Sequence, residues 1–116
     1  FILHEYKGRM GDKPLEGMAI YGYHTGLLKI QCAWVDSFHN GTAIMFSEGT
    51  RGHTDLTMLG SYAYITPEME QHWGWRTTIE IKNDKELVIT AYNISPEGEA
   101  VKATETIYQK RNKKSL

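Results

Sequence analysis

The sequence predicts an all-β protein, an antiparallel up-and-down β-barrel with about eight strands in one domain. Short segments rich in β-branched and aromatic residues recur along the whole chain, which is typical of strands. The breaks between them are short and contain Gly, Pro, Asn or Asp, so consecutive strands should pair antiparallel. No stretch has helical periodicity with caps. We expect the sheet to close, because closure removes the exposed edges of an open sheet.

The first four strands are predicted at Phe1–Arg9, Leu15–His24, Leu27–Asp36 and Thr42–Thr50. The sequences MGDKP, HTG and SFHNG separate them, and RGHTD ends the fourth. HNGT is a good turn sequence, because Asn and Gly accept a positive φ angle.

The last four strands are predicted at Leu56–Ile65, Trp73–Lys82, Glu86–Ile94 and Glu99–Lys110. TPEMEQH, NDK and SPEG separate them, and PEMEQH could form one helical turn at most. SPEGE is a good turn sequence, because Pro fixes the first corner and Gly accepts a positive φ angle.

Composition allows one core and excludes several classes of function. The chain is 41% apolar, and no apolar run approaches the roughly 18 residues that a membrane span needs. The formal net charge is −1, but Lys110, Arg111, Lys113 and Lys114 lie in the C-terminal tail. Without these four, the chain has nine basic and 14 acidic residues, which gives a net charge of −5. Phosphate binding needs clustered Lys and Arg, so we expect no nucleic-acid surface.

The domain prediction is a barrel over residues 1–109 and a basic, disordered tail over residues 110–116. The sequence FILHEYKG is strand-like from its first residue and lacks an initiator Met, so we expect the natural N-terminus to lie upstream. Cys32 is the single cysteine, which excludes an intrachain disulfide. It shares a strand face with Ile30 and Trp34, and we expect a buried thiol and not a nucleophile.

Carboxylates within apolar strands are the candidate site residues. Asp36 and Glu48 interrupt runs that carry Trp34, Ile44 and Phe46. If residues 37–41 form the loop, Glu48 shares the apolar face; if Asn40 and Gly41 form a two-residue turn, Glu48 points away. Glu5, between Leu3 and Lys7, is equally ambiguous.

Alternation in the last three strands predicts an interior carboxylate. Trp73, Trp75, Thr77, Ile79 and Ile81 share one face. A turn centred on residues 84 and 85 continues that face through Val88, Thr90, Tyr92 and Ile94, and then through Val101, Ala103, Glu105 and Ile107. Glu105 then lies within an apolar face, where a carboxylate must be paired, hydrogen-bonded or protonated. Arg76, on the polar side of its strand, could face water or the lumen.

We expect no metal site and no cofactor. None of the five histidines forms a spaced pair typical of zinc, and HTD at residues 53–55 reads as an ordinary turn. No phosphate-binding glycine loop and no G-x-S-x-G motif is present. A haem-binding barrel would need a histidine on the inner wall, and His4 is the one that lies clearly within a predicted strand.

Two longer stretches carry a family resemblance. They run from HEYKG through PLEGMAIYGYH to IQCAWVDSFHNGTAIMFSEGT, and from WRTTIEIKNDKELVITAYNISPEGEAVKATETIYQKR. Over nearly all of residues 1–111 the chain resembles the uncharacterised bacterial family catalogued as domain of unknown function 1579. The resemblance implies a calycin fold, the lipocalin-like and fatty-acid-binding-protein-like β-barrels, and an additional N-terminal strand segment that precedes this sequence in members. It implies no activity.

Three hypotheses follow. The leading one is a non-catalytic barrel that binds a small apolar or amphipathic ligand in its lumen, with Glu48, Arg76 or Glu105 orienting a polar group. Trp34, Tyr92 and Glu5 complete the predicted ligand-binding set. The second is an isomerase or hydrolase with Glu105 or Glu48 as general base and Arg76 as its electrostatic partner, which needs a carboxylate of strongly raised pKa in an accessible cavity. The third is a structural or interaction module with a filled barrel. A homo-oligomer is compatible with all three, and the sequence indicates no compartment.

Overall fold

The computed structural model describes residues 1–39, 41–52 and 55–110. Its eight strands form one antiparallel sheet in chain order. They are β1 (Ile2–Met10), β2 (Lys13–His24), β3 (Lys29–Asp36), β4 (Met45–Arg51), β5 (Asp55–Ile65), β6 (Glu70–Asn83), β7 (Glu86–Ile94) and β8 (Ala100–Gln109). The described part contains no helix, and so none long and apolar enough to cross a membrane.

The predicted all-β, antiparallel, up-and-down architecture is confirmed. The sheet curls into a half-barrel, and each of its seven ladders joins strands that are consecutive in sequence. Within the described ranges β1 and β8 are the two edges of the sheet and share no ladder. They meet through side chains instead: His4 Nε2 of β1 lies 2.7 Å from Tyr108 Oη of β8.

The turns follow the predicted turn chemistry where the structure describes them. Gly98, in the β7–β8 turn, has a φ angle of 91°, and its N–H donates to the carbonyl of Ser95 over 2.9 Å. A residue with a Cβ would be strained there, which explains why SPEG is a good turn sequence. Asn40 of the predicted HNGT turn lies outside the described residues, as do His53 and residues 111–116 of the predicted tail.

The core lies on the concave face of the half-barrel. One group of buried residues consists of Ala19, Ile30, Cys32 and Met58, and a second consists of Met45, Trp75 and Ala91. Trp34 packs against both groups and joins them. Cys32 is buried, and this burial raises the pKa of its thiol to about 11, which agrees with the expected inert apolar role.

The predicted register between β6 and β7 is wrong by one residue. Ile81 pairs with Leu87 and Asn83 pairs with Glu86, so Lys82 between them has no opposite residue. This bulge reverses the faces of β7 relative to the prediction. The face of Trp75 and Thr77 continues through Asn93, Ala91, Ile89 and Leu87, and not through Val88, Thr90, Tyr92 and Ile94.

A second irregularity lies between β7 and β8. Ala91 pairs with Thr104 and Tyr92 with Lys102, so the face of Glu105 does not continue to Ala103 and Val101 as predicted. Glu105 does share a face with Thr90, Val88 and Ile107. That face is the convex one, so Glu105 does not lie among the residues that line the concave interior.

Candidate functional site

A cavity of about 530 Å³ lies on the concave face, between the edge strand β1 and the opposite wall of β7 and β8. We call it the concave cavity. Its wall is mainly apolar and aromatic, with hydroxyl groups from Thr and Tyr. The concave-facing residues of its wall are His4, Tyr6, Ala19, Tyr21, Cys32, Trp34, Ser47, Trp75, Thr77, Ile89, Ala91, Thr104, Thr106 and Tyr108.

Alternation in the strands explains this wall. On β8, Thr104, Thr106 and Tyr108 face inward while Glu105 and Ile107 between them face outward. On β1 the cavity is bordered by seven consecutive residues, His4–Met10, because β1 is an edge strand. A volume of this size falls within the range of small-molecule pockets, about 300–1,000 Å³.

An aromatic partition separates the concave cavity from a second cavity of about 370 Å³. The rings of Trp34 and Trp75 stack with centroids 5.4 Å apart and planes 26° apart. The His39 ring, from the loop after β3, lies 5.6 Å from Trp34 and 6.0 Å from Trp75. All three residues line both cavities, so each cavity has two indole rings in its wall.

A hydrogen-bond chain forms one polar end of the concave cavity. Trp34 Nε1 donates to Tyr6 Oη over 2.7 Å, and Tyr6 Oη donates in turn to Asp36 Oδ2. The second oxygen of Asp36, Oδ1, accepts from the backbone N–H groups of Phe38 and His39, each over 2.5 Å. His39 Nδ1 also lies 3.1 Å from Asp36 Oδ1.

The register explains how residues 30 positions apart meet in this chain. Tyr6 lies opposite Gly17 on β2, and Gly17 lies opposite Asp36 on β3. A Cβ added at Gly17 would overlap the phenol ring of Tyr6. The missing side chain of Gly17 therefore lets the Tyr6 ring lie across β2 and reach Asp36.

The Asp36 side chain is fully buried, and it is ionised because of its donors. Burial acts to raise its pKa, but hydrogen bonds from Tyr6, His39 and Phe38 outweigh burial and hold the pKa of Asp36 below its ordinary value. Burial, followed by the hydrogen bond to Asp36, raises the pKa of Tyr6. The pair is thus a carboxylate and a neutral phenol.

A second polar pair joins the edges of the half-barrel. His4 and Tyr108 are hydrogen-bonded, and their rings are edge-on with centroids 5.3 Å apart. Burial lowers the pKa of His4, which favours its neutral form. His4 is thus a histidine on the inner wall, with Nε2 bonded to a phenol. Among the described residues, which do not include His53, no three His, Cys, Asp or Glu side chains lie close enough together to hold a metal ion.

Of the predicted ligand-binding residues, Trp34 lies in the wall of the concave cavity. Glu48 lies on the convex face, opposite Gln31, with Lys29 Nζ 3.2 Å from its carboxylate. Trp34 pairs with Met45, so the loop register that would turn Glu48 toward the apolar side is wrong. Glu5 occupies a convex register position opposite Met18, although it borders the concave cavity at the sheet edge.

The remaining predicted residues pair with one another or with lysine on the convex face. The Arg76 guanidinium lies over the Tyr92 ring, 4.6 Å from its centroid, in a cation–π contact. Glu105 accepts a hydrogen bond from Lys102 over 2.8 Å. Like Glu48, these three predicted residues do not line the concave cavity.

The convex face also carries exposed apolar side chains. This convex apolar patch consists of Leu3, Met18, Ile20, Val35, Phe46 and Leu59, each at least 39% exposed. Neighbouring members lie opposite one another in the ladders: Leu3 faces Ile20, and Met18 faces Val35. The patch is therefore an exposed apolar surface on the face of the sheet opposite to the concave cavity.

Comparison with known proteins gives a family and no activity. No curated protein and no solved structure matches the chain closely enough to count as similar. A family model described as "Protein of unknown function (DUF1579)" matches residues 1–110. The match spans all eight strands, the Tyr6–Asp36 chain and the concave cavity. The chain therefore belongs to the DUF1579 family, the family that the sequence resembles.

Proposed function

We propose that the protein is a non-catalytic binding module that holds a small apolar or amphipathic ligand in the concave cavity. The observation that carries this proposal is the recessed cavity of about 530 Å³ with Trp34 and Trp75 in its wall. Binding pockets are mostly apolar, with a few placed polar groups that fix the orientation of the ligand. Tyr6, His4 and Tyr108 supply such groups here.

The six residues predicted from the sequence contribute unequally to this proposal. Trp34 supports it directly, because its indole forms part of the wall. Glu5 could contact a ligand only at the rim, from its place on the edge strand. Glu48, Arg76, Tyr92 and Glu105 would act indirectly, since each has its partner on the convex face.

The enzyme hypothesis lacks the carboxylate that it requires. A general base would need a raised pKa in an accessible cavity. The hydrogen bond from Lys29 lowers the pKa of Glu48, and the hydrogen bond from Lys102 lowers the pKa of Glu105. The filled-barrel hypothesis predicts no cavity of ligand size, whereas the concave face has one. Ligand binding is therefore the hypothesis that the geometry supports best.

Fluorescence titration with Nile red, an uncharged dye, tests the proposal. We expect saturable binding with a Kd below about 1 mM, with quenching of tryptophan emission as the dye approaches the two indoles. The variant Thr106→Phe places a larger side chain in the cavity from an exposed position on β8. We expect it to weaken binding at least about tenfold, a loss of about 1.4 kcal/mol.

Ile107→Phe is the matched control, since residue 107 is the next position on β8 and is exposed on the convex face. We expect it to bind the dye as the parent protein does. Equal affinity in both variants would mean that the dye binds elsewhere, for which the convex apolar patch is the alternative surface. No saturable binding below about 1 mM would reject the proposal.

A further inference from the structure

The hydrogen-bond chain at the polar end of the concave cavity has a fixed direction. A tyrosine hydroxyl has one hydrogen to donate and two lone pairs. Tyr6 Oη gives its hydrogen to Asp36 and uses one lone pair to accept from Trp34 Nε1. One lone pair remains, so Tyr6 can offer the cavity an acceptor but no donor.

The chemistry of its two partners prevents the direction from reversing. An indole Nε1–H can only donate, and an ionised carboxylate can only accept. Asp36 is held in the ionised form by its hydrogen bonds from Tyr6 and from the N–H groups of Phe38 and His39. The orientation of the Tyr6 hydroxyl is therefore set by the protein before any ligand arrives.

The charged groups around the concave cavity likewise favour a ligand that donates a hydrogen bond over an anion. The charged residues on its border are Glu5, Lys7 and Arg9, which alternate along β1 with the inward-facing His4 and Tyr6. Lys7 Nζ lies 3.4 Å from Glu16 on the convex side. The fully buried charge beside the cavity is the Asp36 carboxylate, and the His39 Nδ1 atom faces that carboxylate. Among the described residues, no Lys or Arg at an inward-facing position lines the cavity.

We propose that the concave cavity selects amphiphiles whose polar end donates a hydrogen bond, an alcohol or a protonated amine, over carboxylates. The alkyl part would lie against the indoles, and the O–H or N–H of the head group would donate to Tyr6 Oη. A carboxylate has no hydrogen for this lone pair. The Thr hydroxyls of the wall could donate to it, but it would lie beside the buried Asp36 carboxylate with no inward-facing Lys or Arg to balance the two negative charges. The inference rests on the proposed function and adds the ligand class to it.

Competition against bound Nile red with three eight-carbon probes at pH 7 tests this inference. The probes are 1-octanol, n-octylammonium and octanoate, which share one chain and differ in the head group. We expect octanol and octylammonium to displace the dye at concentrations at least tenfold lower than octanoate. If Nile red itself fails to bind, the proposed function fails; if it binds and octanoate competes as well as octanol, only this inference is overturned. Failure of all three probes to displace bound dye overturns it as well.

The variant Asp36→Asn changes the direction of the hydrogen-bond chain without changing its shape. The N–H of the introduced amide donates to Tyr6 Oη, whose two lone pairs are then occupied by that amide and by Trp34 Nε1. The hydroxyl hydrogen of Tyr6 becomes available to the cavity. We expect the octanol-to-octanoate preference to fall at least tenfold and octylammonium to lose affinity. An unchanged preference overturns the inference.

Tyr6→Phe is the second variant, in case the amide variant does not fold. It removes the acceptor and leaves the aromatic ring in place. We expect the advantage of octanol over octanoate to shrink by a similar factor, while Ile107→Phe keeps the parent preference. A Tyr6→Phe protein that retains the full preference would overturn the inference, because Tyr6 would then not be the group that the head group meets.

Discussion

Gly17→Ala should break the Tyr6–Asp36 chain although it adds a single methyl group. A Cβ at position 17 would overlap the phenol of Tyr6, and the nearest atoms include its hydroxyl oxygen. The ring must leave its place across β2, because a rigid aromatic side chain can yield only by rotating away as a whole. Its hydroxyl then loses both Asp36 and Trp34.

The magnitude follows from the bonds that are lost. A hydrogen bond to a charged group contributes about 1.5–3 kcal/mol, and one between neutral groups about 0.5–1.5 kcal/mol. Replacing Gly by Ala also raises the free energy of unfolding by about 0.4–1 kcal/mol, because it restricts the conformations of the unfolded chain. We expect the free energy of unfolding to fall by about 2–3 kcal/mol, because water can replace part of the hydrogen bonding that Asp36 and Trp34 lose when the Tyr6 phenol moves away.

Gly8→Ala is the matched control. Gly8 lies on the neighbouring strand β1, and nothing lies within 4 Å of a Cβ built there. We expect it to leave stability unchanged or to raise it by up to about 1 kcal/mol. Urea unfolding followed by tryptophan fluorescence measures both variants. Free energies of unfolding that agree within about 0.5 kcal/mol would refute the reasoning, because the Tyr6 ring would then not depend on the missing side chain.

Three further predictions follow from other parts of the site. The pKa of Asp36 is lower in the folded protein than in the unfolded chain, where it is about 3.9. The contribution of Asp36 to stability is therefore present above that unfolded-state value and is lost as the pH falls through the folded pKa. Asp36→Asn should flatten the dependence of Tm on pH in acid, and identical curves of Tm against pH for the variant and the parent protein would contradict this. Cys32, with its pKa raised to about 11, should react with a thiol reagent at pH 8 far more slowly in the folded protein than in urea, and equal rates would contradict its burial. Tyr108→Phe should lower the free energy of unfolding in urea by about 1 kcal/mol, because the hydrogen bond to His4 is lost. Tyr64→Phe, at an exposed tyrosine, is the control, and a similar loss in that variant would show that the His4 bond does not contribute.

The sequence predicts the architecture well because the strands are short, alternating and separated by residues with turn chemistry. Strand order follows from the short breaks, since neighbours in sequence then become neighbours in the sheet. The registers are less predictable, because one extra residue reverses every later face. The bulge at Lys82 reverses the two faces of β7 relative to the prediction, which places Tyr92 on the same face of the sheet as Arg76.

The candidate site could be predicted only in part. Trp34 and the unusual position of Asp36 were visible in the sequence, whereas the partner of Asp36 depends on two ladders in succession. The signal for Tyr6 was a glycine within a strand, at Gly17, which often marks a close approach. His39 lies in a loop, where alternation gives no direction for a side chain, so its contact with Trp75 could not be predicted.

The central claim is that a ligand lies in the concave cavity against two particular indoles, and nuclear magnetic resonance tests it most directly. The chain has three tryptophans, whose indole N–H signals can be followed in a titration of the ¹⁵N-labelled protein with 1-octanol. We predict that the signals of Trp34 and Trp75 shift and saturate together, while that of Trp73, which lines neither concave-face cavity, stays in place. The account would be contradicted if the indole signals of Trp34 and Trp75 stayed unchanged while the backbone amide signals of Phe46 and Leu59, in the convex apolar patch, shifted.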